Sequence, residues 1–140
     1  MLNGLPILNP FPDLLVLEHL APLILRVVLG FIILNVGYLK FKSELPRWRI
    51  FMEAFGFKHR SELVKALGFV EIVSGVMLIL GFYTQIAALV LAILAFIELF
   101  AEQKESALVK RDIVFYVFIF AIALSLLFTG AGAFSLDLPL

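Results

Sequence analysis

Glu71 lies inside an apolar run, residues 67–82, Leu-Gly-Phe-Val-Glu-Ile-Val-Ser-Gly-Val-Met-Leu-Ile-Leu-Gly-Phe. A carboxylate at bilayer depth costs at least about 2.5–3.5 kcal/mol on insertion scales, so it is expected to face a protein interior and to have a partner. On a helical wheel Gly68, Glu71, Gly75 and Phe82 share one side, with Ser74 at its flank. Small residues there let a second helix come close while the carboxylate points into the seam. Two more charges stand in or beside apolar stretches, Arg26 and Glu98. At 1.5 Å per residue, Arg26 lies roughly 8–9 Å below one edge of its span and Glu71 roughly 10–12 Å inside the opposite edge of its own, which predicts a different partner for each. For Glu71 the candidates are Lys40 and Lys65. Lys65 shares its helix, so Lys40, laying its apolar stem along the seam, is preferred. For Arg26 they are Asp13, Glu18 and Asp137. Gly130 and Gly132 would let the tail fold back with Ser135 and Asp137, which favours Asp137. Glu98 reads as solvated, and Trp48 and Tyr83 as members of interfacial aromatic belts. The candidate ligand-binding set is therefore Arg26, Lys40, Glu71, Ser74 and Asp137, and no residue is assigned as catalytic. Against it stands the plainer reading that these groups form ion pairs fixing helix register, with Ser74, Asn35 and Thr129 as helix–helix hydrogen-bonding groups.

Several chemistries are absent. The chain has no cysteine, which removes thiol nucleophiles, disulfides and thiolate-ligated clusters. His19 and His59 fall at opposite ends of the apolar segments and cannot converge on one haem, and no His–carboxylate cluster has metal-ligand spacing. Zero net charge gives no basis for a nucleic-acid partner. The Gly-Ala-Gly near the end is not a phosphate loop, since no helix follows it.

The elements that must position these residues are membrane spans. Of 140 residues 63% are hydrophobic, against about 45–50% in soluble domains, and the mean hydropathy is +1.10. The fold class expected is all-α, an integral membrane four-helix bundle forming a single domain over 1–140, with spans near 21–41, 63–82, 86–100 and 113–129. In the first span Arg26, Gly30, Ile33, Gly37 and Lys40 recur at spacings of 4, 3, 4 and 3 and so form one stripe, with Asn35 opposite. Between spans one and two, residues 46–56 read as an amphipathic helix in the membrane interface, with Trp48, Phe51, Met52 and Phe55 on its apolar face. Pro6, Pro10 and Pro12 break the N-terminal arm, leaving at most a short helix from Asp13 to Leu20. No basic residue precedes Arg26, so no cleaved leader is expected.

All Lys and Arg except Arg26 fall in or beside the two connections on one side of the expected membrane, the second of which carries Lys104, Lys110 and Arg111. This predicts an inner-membrane protein with both basic connections cytoplasmic and both termini outside.

Three stretches together resemble the DoxX/DoxD-like family of membrane proteins. They are Arg26-Val-Val-Leu-Gly30 through Gly37-Tyr-Leu-Lys40, Glu71-Ile-Val-Ser-Gly75 through Gly81-Phe-Tyr-Thr84, and Gly130-Ala-Gly132-Ala-Phe-Ser135-Leu-Asp137. The resemblance covers roughly 25–137; Ala131 departs from the proline many members carry, and the proline-rich arm lies outside it. It implies a four-helix membrane subunit, in the namesake proteins part of a quinone-linked thiosulfate-oxidising complex, and it brings no settled catalytic residue. The expected function is a small membrane subunit of a quinone-linked or redox-associated complex, binding a small lipophilic molecule in the polar seam between spans one and two. No cofactor is intrinsic, quinone is the candidate ligand, and the partners are the bilayer, a redox protein and a second copy of the chain. The alternatives are a small carrier using Glu71 and Arg26, or a non-catalytic scaffold.

Overall fold

The structure, a computed structural model, describes residues 11–104 and 113–137, the side chains of 101–104 excepted. A 3-10 helix at Pro12–Leu17 precedes five α-helices: α1 Leu20–Phe41, α2 Leu45–Ala54, α3 Arg60–Leu80, α4 Thr84–Lys104 and α5 Ile113–Thr129. Among the described residues there is no strand. The short N-terminal helix is thus 3-10 and ends before Leu20. α3 starts three residues ahead of the expected span, with Glu62 in its first turn, where a carboxylate complements the helix dipole. α4 outlasts its apolar segment because Ala101, Glu102, Gln103 and Lys104 are strong helix formers. The rest of the expected charged connection, Glu105, Lys110, Arg111 and Asp112, lies outside the described residues, as do Pro6 and Pro10.

α1 packs chiefly on α3 and α4 chiefly on α5, while α3 with α4 and α1 with α5 join the two pairs. The α1–α3 contact is made backbone to backbone. A Cβ built on Gly30 would stand 2.8 Å from the carbonyl oxygen of Gly75, and one on Gly75 would stand 2.9 Å from that of Gly30. Gly37 and Gly68 face each other in the same reciprocal way, at 2.8 and 2.9 Å. These four glycines fix an antiparallel register along two turns of each helix. α4 offers a face of Ala87, Ala88, Ala92 and Ala95, all buried, and packs through it with Leu29, Ile33, Leu78, Ile119, Ala123 and Leu126 in the main core.

α2 is held separately. Trp48, Phe51 and Met52 are buried against Val64 of α3. Phe55, just past the helix end, keeps its ring on Phe51 with centroids 4.7 Å apart and is 43% exposed. Phe82, expected on the buried side of α3, lies beyond the helix end and is 46% exposed.

Outside these contacts the surface is apolar. Phe31, Phe69, Phe96, Phe118 and Phe128 stand exposed on four different helices. A soluble monomer rarely carries contiguous apolar surface beyond a few hundred Å², whereas lipid is the natural solvent for such a belt. α1 and α3 have the length and apolarity to cross a membrane, and α4 and α5 contribute apolar segments of 17 residues, Thr84–Phe100 and Ile113–Thr129.

The glycine contacts generate a direct prediction. Gly37→Ala and Gly75→Ala should each destabilise the protein by about 1–3 kcal/mol, the usual cost of overpacking, whereas Phe31→Ala on the exposed face of α1 should be near neutral. Thermal unfolding in detergent measures the difference.

Candidate functional site

Lys40 and Glu71 meet across the α1–α3 seam. The register Gly37–Gly68 puts them about six residues, roughly 9 Å, apart along the helix axes. Side chains lean toward the N-terminus of their own helix. Because the helices run antiparallel, Lys40 and Glu71 lean toward each other and close the gap. The Lys40 ammonium donates to Glu71 Oε1 at 2.7 Å and Oε2 at 2.8 Å, and to Glu98 Oε1 on α4 at 2.9 Å. An ammonium has three donors, and all three are used. The Trp48 ring of α2 lies 4.6 Å from Nζ, a cation–π contact. Lys40 is fully buried, and Glu71 and Glu98 are 2% and 8% exposed. When all are ionised, the cluster carries one more acid than base.

Two expectations are corrected here. Glu98 is not solvated, because α4 packs against α3 and turns the carboxylate to Lys40. A signal existed for it: Leu91 and Ala95 lead to Glu98 at spacings of 4 and 3, so it continues the buried stripe of α4. Trp48 is not a lipid-facing belt residue, because α2 folds back onto α3 and lays the indole over the ammonium. No local pattern announces that contact. Ser74 is buried one turn beyond Glu71 and is not among the hydrogen-bonding partners of the cluster.

Beside the cluster lies a cavity of about 10 Å³, lined by Glu71, Glu98, Tyr116 and apolar residues of α1, α4 and α5. That is room for about one water molecule. Leu94 and Phe115, both half-buried, are among its lining. Between α1 and α3 the glycines bring the backbones into contact, so the small residues there serve helix approach.

At the other end of the helices the tail does fold back, but its carboxylate does not pair with Arg26 as expected. The guanidinium is held by four carbonyls. Nη1 donates to Leu78 O at 3.2 Å and Ile79 O at 3.1 Å, and Nη2 to Ala133 O at 2.7 Å and Phe134 O at 2.6 Å. Two of these belong to the last turn of α3, where orphan carbonyls and the negative end of the helix dipole favour a cation. The other carbonyls of that turn are also occupied: Met77 O accepts from the Phe82 amide at 2.9 Å and Leu80 O from the Leu136 amide at 3.3 Å.

Asp137 instead closes the start of α4, its Oδ1 accepting from the Tyr83 amide at 2.6 Å and its Oδ2 from the Thr84 amide at 2.8 Å. One residue from each side thus matches the charge of a helix end, Arg26 at the C-terminus of α3 and Asp137 at the N-terminus of α4. The geometry needs Gly81, whose φ is +67°. A Cβ there would collide with the Arg26 guanidinium and come within 2.5 Å of Ser135 Cβ. Burial pushes the Asp137 carboxyl up, but the amides of Thr84 and Tyr83 and the nearby Arg26 outweigh it and hold it below its ordinary value.

With this geometry in view, the chain is a small helical membrane protein that buries charges of α1, α3 and α4, Lys40, Glu71 and Glu98, against one another. A family model described as DoxX matches residues 21–101, more than half of the chain, and the chain belongs to that family. No curated protein and no solved structure matches it.

Two predictions follow from the partners found. Lys40→Gln strips both carboxylates of their counter-charge and should cost about 3–5 kcal/mol, the range for breaking a buried pair; Glu71→Gln leaves Lys40 with Glu98 and should cost clearly less, read as the shift in detergent unfolding midpoint. Asp137→Ala should cost about 1 kcal/mol, as loss of a cap does, and Asp13→Ala, on the exposed arm, close to nothing. A carboxyl lowered on folding stabilises above its unfolded value and loses that contribution as pH falls through its folded value. The stability gap between the native chain and Asp137→Ala should therefore be full at neutral pH and shrink only below the ordinary carboxylate range. A gap independent of pH down to about 2 would contradict the capping role.

Proposed function

We propose that this DoxX-family protein is the membrane subunit of a redox-linked complex, with the Lys40–Glu71–Glu98 cluster as its working site. In this reading α1, α3, α4 and α5 cross the inner membrane as a four-helix bundle and α2 lies in the interface. Both basic connections are cytoplasmic and both termini outside, as the confinement of ten of the eleven Lys and Arg to one end of the helices supports. The carrying observation is two buried carboxylates sharing one ammonium beside a cavity that both of them line. Intramembrane ionisable groups are by default functional, and such a set can hold the polar end of a small lipophilic molecule with hydrogen-bonding oxygens, of which a quinone is the example the family suggests. Electrons would come from a partner protein.

The room is the constraint. A cavity for about one water does not hold a quinone ring, so the ring would lie outside it, against Leu94 and Phe115, with only an oxygen reaching Glu71 or Glu98. Arg26 and Asp137 stay outside the site, since helix ends and tail carbonyls occupy them.

Trp48 is the chain's single tryptophan and sits on the cluster, so its fluorescence reports the site. Titrating a short-chain quinone into the protein in lipid nanodiscs should change that fluorescence saturably, and Glu71→Gln should weaken the response at least tenfold with folding retained. A purely structural cluster is the second reading, favoured by the complete use of the ammonium's donors. A linear, unsaturable response identical in both proteins would support it over the ligand site.

A further inference from the structure

A second polar feature lies at the basic end, where the start of α3 meets α2. Arg49, Lys58, His59, Arg60, Ser61 and Glu62 line an open groove of about 270 Å³, close to the roughly 300 Å³ at which ligand clefts begin. Its lining carries three bases against one carboxylate, Glu62. Arg60 pairs loosely with Glu53 at 3.5 Å and donates from Nε to Phe57 O at 3.1 Å, and His59 stands 3.7 Å from Glu62. Arg49 and Lys58 have no ion-pair partner among the described residues. α3 also opens without a side-chain cap, so its first amides and the positive end of its dipole add to the same sign.

The groove's depth and surroundings select the occupant. Beyond Lys65 the exposed large side chains of α3 are apolar, beginning with Phe69 and Val70, so the groove at Arg60–Glu62 sits within about two turns, roughly 10 Å, of the apolar outer surface. Ile50 and Phe57, next in sequence to Arg49 and Lys58, are 53% and 47% exposed, and Phe55, three residues before Lys58, is 43% exposed. Bases beside exposed apolar side chains match a molecule with an anionic head and a greasy tail. Free phosphate would use the first and leave the second in water.

We propose that this groove binds the phosphodiester headgroup of an anionic phospholipid, with Arg49 and Lys58 as its principal contacts and Ile50, Phe55 and Phe57 against the acyl chains. The proposal rests on the membrane reading above but not on the ion cluster or on any quinone. The headgroup anchors α2 at the membrane surface, and through Trp48 the same helix covers Lys40.

The test uses the full chain, delipidated in zwitterionic detergent and offered phosphatidylglycerol or phosphatidylcholine, with bound lipid counted by native mass spectrometry. Phosphatidylglycerol should be retained preferentially. Arg49→Gln and Lys58→Gln should each lower that preference about fivefold, the effect of one base near an anionic surface, and the double variant should abolish it. Both side chains are exposed and unpaired, so the unfolding midpoints should not move. Lys65→Gln, an exposed base outside the groove, should leave the preference intact. A double variant that still prefers phosphatidylglycerol, an equal loss in Lys65→Gln, or displacement of the lipid by millimolar inorganic phosphate would each overturn the assignment. Membrane orientation is read separately, by impermeant labelling of a cysteine introduced at position 58, so a failed topology and a failed lipid site give different results.

Discussion

The approach of two backbones at Gly30–Gly75 and Gly37–Gly68 is the constraint on which the rest of this protein depends. In lipid, helices gain nothing by hiding apolar surface from one another, and close van der Waals contact must supply the attraction. Four glycines allow that contact and fix one antiparallel register. The register decides what faces what. It sets Lys40 and Glu71 at an offset that their opposed leanings close, and it brings the end of α3 within reach of Arg26. A slip by one turn would part both sets of partners and leave charges bare in an apolar medium. Packing and electrostatics therefore select the same arrangement, the agreement between levels that marks a well-determined fold.

The two ends of the bundle treat charge differently. At the tail end, a cation and an anion are spent on helix termini. Arg26 gathers carbonyls from α3 and the tail, and Asp137 accepts amides at the start of α4. The tight α3–α4 turn is locked between them, and Phe134 holds φ at +51° with its carbonyl on Arg26. At the basic end the charges bind one another, with one acid in excess and a cavity beside them. The first arrangement has every reason to be rigid. The second leaves one carboxylate in excess beside a cavity the size of about one water molecule.

α2 connects the interior of the basic end to its surface. Trp48 caps the buried ammonium, and Phe51 and Met52 secure the helix on Val64. Its other side carries Arg49 and exposed apolar groups. The exposed basic groove and the ion cluster thus share one ten-residue helix.

The sequence by itself determined the helices, narrowed the partners of Glu71 to Lys40 and Lys65 with Lys40 preferred, and pointed to the return of the tail. Helical periodicity, hydropathy and the scarcity of charge in apolar runs are local properties, and a lone buried carboxylate admits few partners. It also carried the family resemblance, in glycines and charges whose spacing survives without coordinates. Only the tertiary structure decided what each charge does there. Arg26 found carbonyls rather than Asp137, because a helix end offers several acceptors that no side-chain pattern displays. Glu98 joined Lys40 because α4 packs on α3, and Trp48 covered it because α2 folds back. Such contacts join residues far apart in sequence, and their energy depends on a register that exists only once the four glycines have brought α1 and α3 together.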